Sequence, residues 1–108
     1  MVRKIFLAKI FFTDFSNYKI RPILIIKEYK DEDFLYVPLT SNLKINGIEL
    51  ITMNLESGQM YKPTIIAVPK IGIIHKSFLL KEIGLIKQET FDKVLHELCN
   101  FLECFRMK

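Results

Sequence analysis

The sequence predicts a mainly β fold: a small antiparallel barrel of short strands, plugged or flanked by one C-terminal helix. Three observations point there. Pro22 is followed by the unbroken apolar run Ile23-Leu24-Ile25-Ile26, the mark of a strand buried on both faces. Five or more short segments rich in Ile, Val, Leu and Phe follow one another, separated by turn-prone stretches. Only the last segment, residues 88–105, carries a helical period.

Residues 5–13, IFLAKIFFT, read as the first strand, with apolar side chains on both faces and Lys9 interrupting one of them. Residues 13–20 are polar and turn-prone. Within them Phe15, Tyr18 and Lys19 suit stacking on bases and contact with phosphates. Equally, the aromatic residues of a hairpin loop tuck back on the barrel. The second strand runs from about Pro22 to Tyr29, with the proline at its first residue because it has no amide hydrogen to give. A proline also holds the preceding residue extended, which sets Arg21 at the mouth of the strand. The other arginines, Arg3 and Arg106, lie near the ends of the chain. Arg21 is therefore the candidate anion ligand, although a surface ion pair is the simpler reading of its position.

Lys30, Asp31 and Glu32 make a charged turn, and a third strand runs from Asp33 to Thr40, with Pro38 marking an edge or a bulge. In a hairpin closed by those turn residues, Tyr29 pairs with Asp33. Carried back along the strands, this register puts Arg21 opposite Ser41 and Pro22 opposite Thr40. A one-residue shorter loop puts Arg21 opposite Thr40 itself. Either way a guanidinium and two hydroxyls meet at one end of the hairpin.

Further strands are expected over 48–53, 64–68 and 71–74, with loops over 42–47 and 54–62. Residues 77–82 read as a short helical turn ended or bent by Gly84. The final helix, 88–105, presents Phe91, Val94, Leu95, Leu98, Leu102 and Phe105 as an apolar stripe for the core. Its start is poorly capped, since Lys87 stands where serine or aspartate serves better.

Half of the 108 residues are hydrophobic, enough for one folded domain spanning 1–108. The net charge of +4 permits a polyanionic partner, nucleic acid or an acidic protein, and solvated lysines explain it as well. No apolar stretch reaches membrane-spanning length, and Lys9 breaks the N-terminal apolar run too early for a signal peptide. His75 has no second ligand at metal-binding spacing. Cys99 and Cys104, five apart on the expected helix, point in different directions and read as free thiols in a reducing cytoplasm.

The segments Phe12-Thr13-Asp14, Arg21-Pro22-Ile23-Leu24-Ile25-Ile26, Thr40-Ser41 and Thr64-Ile65-Ile66, followed by Gly84 before the last helix, occur in an order and spacing that resembles the MazF/PemK family of toxins from type II toxin–antitoxin systems. The resemblance implies an SH3-like barrel of five to seven antiparallel strands with a C-terminal helix, a CcdB/MazF/PemK-like toxin fold. It implies a cytoplasmic, homodimeric endoribonuclease (an mRNA interferase) that cuts single-stranded RNA without metal or other cofactor. Its partner would be an antitoxin whose acidic, disordered tail occupies the RNA groove. The family's catalytic arginine and threonine carry over to Arg21 and Thr40. The chain departs from the family pattern at Arg3-Lys4, where Gly-Asp is usual, and at Phe11, where a proline is common. It also has Ala67-Val68-Pro69 where some members carry Arg-x-Asp.

The implied chemistry is attack of the ribose 2′-hydroxyl on its neighbouring phosphate, giving a 2′,3′-cyclic phosphate and a 5′-hydroxyl. It needs a base, relief of charge on the phosphorane, and a proton for the leaving oxygen. Arg21 can hold phosphate oxygens through two donors, and Thr40 and Ser41 can donate hydrogen bonds. Asp14 or a water is the candidate base, and Asp14, Phe15, Tyr18, Lys19 and Ser41 form the expected substrate-binding set. Other readings are a non-enzymatic toxin of the same fold that binds a protein such as a topoisomerase, or a catalytically degenerate interaction module.

Overall fold

The computed structural model describes residues 1–11, 16–60 and 62–104. Its strands in chain order are β1 (Lys4–Phe11), β2 (Tyr18–Glu28), β3 (Asp33–Thr40), β4 (Ile48–Leu50), β5 (Leu55–Gly58), β6 (Thr64–Ile66), β7 (Gly72–His75) and β8 (Leu79–Ile86), and the helix α1 (Gln88–Leu102) follows. The strands run antiparallel in the order β4-β6-β3-β2-β1-β8-β5, with β7 paired to β3 off this path. The sheet curls into a half-barrel, the mainly β architecture expected, with one strand more than the five to seven anticipated.

The organising strand is β2. Leu24 and Ile26 project into one apolar cluster with Val37, Ile66, Phe91 and Val94. Ile23 and Ile25 project the other way, into a second cluster with Ala8, Phe34 and Ile74. Both faces are buried, which is why this run has no polar break. Each such side chain contributes roughly 1.5–3 kcal/mol. The strand nevertheless begins at Tyr18 and not at Pro22, because β1 pairs with its whole N-terminal half, Leu7 opposite Pro22 and Phe11 opposite Tyr18. Arg21 thus sits inside a strand and not at its mouth.

The β2–β3 hairpin closes as the sequence suggests. The Tyr29 amide donates to the Asp33 carbonyl at 2.9 Å, and Asp31 and Glu32 turn the chain in left-handed conformations at φ 59° and 62°. A bulge between Ile25 and Lys27 then shifts the register by one residue. Past the bulge, Ile23 faces Pro38. The shift expected from a shorter loop therefore arises in the strand.

Two segments differ from expectation. Residues 54–62 contain β5, and residues 77–82 are not helical: a 3₁₀ turn at Lys76–Phe78 leads directly into β8. The pattern of Leu79, Leu80 and Ile83 mimics a helix, but pairing with β1 on one side and β5 on the other decides for strand. Gly84 ends nothing; it lies within β8 opposite Gly58, where two residues without side chains let the strands close up.

In α1, Phe91 and Val94 are buried and Leu98 packs against the same cluster. Leu95 and Leu102 of the expected stripe stay 39% and 51% exposed, since the helix meets the sheet mainly through its first turns. Phe105 lies outside the described residues. The helix starts at Lys87 without a side-chain cap and stops at Glu103, whose left-handed conformation turns the chain back. That turn brings the Cα atoms of Cys99 and Cys104 to 5.3 Å, and the two are paired in a disulfide. The free-thiol expectation assumed that the helix ran on through Cys104. Among the described residues, no helix is long and apolar enough to cross a membrane.

Candidate functional site

The site lies where β2 and β3 part. Their last pair at this end is Ile23 with Pro38. Beyond it β2 stays with β1, Arg21 opposite Ala8, while β3 turns to β6, Thr40 opposite Ile65. Pro22 and Pro38 have no amide hydrogen with which to extend the ladder. A cleft of about 620 Å³ opens between the strands, within the range of ligand-binding cavities.

Arg21, Thr40 and Ser41 all line this cleft, together with Tyr36, Lys62 and Lys70. Strand alternation puts Arg21 on the face of Ile23 and Ile25, so the cleft continues the surface of the second apolar cluster. Among the described residues the Arg21 guanidinium has one hydrogen bond, to the neighbouring Ile20 carbonyl at 3.4 Å, and no carboxylate partner. The surface ion pair that its position suggested is not formed there. The Thr40 hydroxyl accepts the Asn42 amide at 3.1 Å, which fixes its oxygen and leaves its own hydrogen to donate into the cleft. Asn42 in turn accepts the Lys44 amide at 3.1 Å, tightening the turn that carries Ser41.

No carboxylate stands among the described residues of the wall, and Arg21, Lys62 and Lys70 make it a cationic hollow suited to an anion. Tyr36 is half-buried, and burial pushes its phenol up from the ordinary 10.0, so it remains a protonated donor at neutral pH. Among the described residues, no group of three His, Cys, Asp or Glu side chains could hold a metal ion.

The remaining candidates fall elsewhere. Asp14 and Phe15 lie outside the described residues. Tyr18 and Lys19 are exposed on β2 and are not part of the cleft wall. The Tyr18 ring, 41% exposed, lies 4.9 Å from the Lys9 ammonium and 5.5 Å from the Phe11 ring. Sequence reasoning missed Tyr36, Lys62 and Lys70. Tyr36 had a signal, since it shares the alternation of Thr40 along β3. The two lysines had none, because the loops that bring them in are placed only by the folding of β6 and β7.

A family model described as PemK-like, MazF-like toxin of type II toxin-antitoxin system matches residues 7–102. Among solved structures the chain is similar to the Mycobacterium tuberculosis toxin MazF-mt6, with a TM-score of 0.65 and 20% sequence identity over 94% of this chain and 97% of that one. At that identity the likeness speaks for the fold. The comparison with curated proteins found no match.

Proposed function

The chain belongs to the PemK-like, MazF-like toxins of type II toxin–antitoxin systems, and we propose that it is an endoribonuclease that cuts single-stranded RNA without a metal ion. The observation that supports this reading best is the convergence of Arg21, Thr40 and Ser41 on one cationic cleft. In the proposed reaction the 2′-hydroxyl oxygen bonds to phosphorus, the bond to the 5′-oxygen breaks, and a 2′,3′-cyclic phosphate and a 5′-hydroxyl result. Arg21 holds two phosphate oxygens and stabilises the charge that develops on them. Thr40 and Ser41 donate to the same phosphate, and Lys62 and Lys70 draw in the flanking backbone. Asp14 or a water takes the 2′ proton. The arginine is itself too weak an acid to protonate the leaving 5′-oxygen easily, so that oxygen takes its proton from water.

Membership of a type II family implies a protein antitoxin as partner, and a dimer. We propose that an acidic, disordered antitoxin tail competes with RNA for the cleft, that action is cytoplasmic, and that the dimer covers exposed strand residues such as Ile20, 48% accessible. The test is incubation of the purified protein with a long single-stranded RNA in EDTA. Discrete fragments with mappable ends are expected; intact RNA across micromolar protein would leave a protein-binding toxin as the better reading.

A further inference from the structure

Resting on the ribonuclease reading, we propose that the groove continues past Tyr36 into a subsite for an unpaired nucleobase close to the reacting phosphate. A second compartment of about 220 Å³ adjoins the cleft, with Ile10 and Tyr36 as shared wall. Its other walls include Lys9, Phe11, His75 and Phe78. Aromatic walls with a cation and the polar rings of Tyr36 and His75 suit the flat face and polar edge of a base, whereas the far end of the cleft, with three cations and the hydroxyls of Thr40 and Ser41, suits a phosphate.

The walls are preset. The rings of Phe11 and Phe78 meet edge-on at 5.1 Å. Tyr36 faces Gly72 across the β3–β7 ladder. A Cβ at Gly72 would lie 2.6 Å from Cζ of Tyr36 and 2.7 Å from its hydroxyl oxygen, so the glycine is what lets the phenol lie across β7. Among the described residues nothing hydrogen-bonds that hydroxyl, which is left for a base edge or a ribose.

His75 supplies a reading group. Its Nδ1 accepts the Ser77 amide at 3.1 Å. A backbone amide can only donate, so the ring proton sits on Nε2 and the imidazole offers one N–H donor. A base with an acceptor on its exposed edge fits it. Tyr36 and Thr40 are four residues apart on one strand, roughly 13 Å, which puts this base about one or two nucleotides from the phosphate held by Arg21 and Thr40.

The experiment uses RNAs carrying one abasic residue at each position around the mapped cut. The wild-type kcat/KM should fall roughly 10- to 100-fold at one position, within two nucleotides of the cut, and nowhere else comparably. Phe78→Leu should lose a similar factor on intact RNA and nothing further on that abasic RNA. His75→Ala, at an exposed position whose ring caps the turn at Lys76–Phe78, should flatten base preference at the same position only, with its urea midpoint read beside it. No sensitive position in the abasic series, or losses from variant and abasic residue that multiply, would overturn the subsite while leaving the ribonuclease reading standing. Failure of the wild type to cut intact RNA would remove both.

Discussion

Arg21→Ala separates a role in chemistry from a role in the fold. The guanidinium is exposed, bonds only to the carbonyl of Ile20 at 3.4 Å, and has no carboxylate partner among the described residues. Its removal should therefore cost folding no more than about 0.5 kcal/mol. In the cleft it is the only group among the described walls with two parallel donors for phosphate oxygens. Losing such a donor to a developing oxyanion costs on the order of 100- to 1,000-fold in rate, or about 2.7–4 kcal/mol. The assay is single-turnover cleavage of end-labelled RNA in EDTA, beside a urea titration of each protein. Arg21→Ala should keep its unfolding midpoint and lose at least 100-fold in rate. Arg21→Lys should recover only part of this, since a point charge lacks the fork. Full activity in Arg21→Ala would refute the site. Parallel loss of stability and activity would mean that Arg21 holds the fold instead.

Thr40→Val keeps the side-chain shape and removes the hydrogen bond donor; it should slow cleavage while RNA affinity, measured by fluorescence anisotropy, changes little. The three cleft cations should give a log–log salt slope of RNA binding near roughly −2, and Lys62→Ala with Lys70→Ala should bring it to roughly −0.7; an unchanged slope would misplace the RNA. Phe91→Ala, at a buried position under the sheet, should cost about 3–5 kcal/mol in urea unfolding. Leu95→Ala, 39% exposed, should cost far less, and equal losses would contradict the helix docking described above.

How far the sequence reaches can be judged from particular residues. The burial of both faces of β2 was legible because four consecutive apolar residues have no other soluble use. The placing of Arg21 and Thr40 on one cleft was legible because a hairpin turn propagates its register along both strands, and the bulge beside Ile26 moved that register by only one residue. β5 was not legible: of its four residues only Leu55 is buried, too short a pattern to see. β8 was hidden because Lys81, Glu82 and Gly84 interrupt it, and its strand state comes from neighbours distant in sequence. The cleft walls Lys62 and Lys70 depend on where β3 leaves β2 for β6, a long-range choice that local periodicity does not encode. The Cys99–Cys104 pairing depends on one backbone turn at Glu103, which spacing alone reads as continued helix.

The most direct test of the proposed activity is the chemistry of the ends it produces. RNA cut in EDTA should carry a 2′,3′-cyclic phosphate on the upstream fragment and a 5′-hydroxyl on the downstream one. A single 2′-deoxynucleotide at the mapped cut should abolish cleavage there, because the attacking oxygen is gone. Fragments with a 5′-phosphate, or cleavage that persists at the deoxy position, would contradict the account.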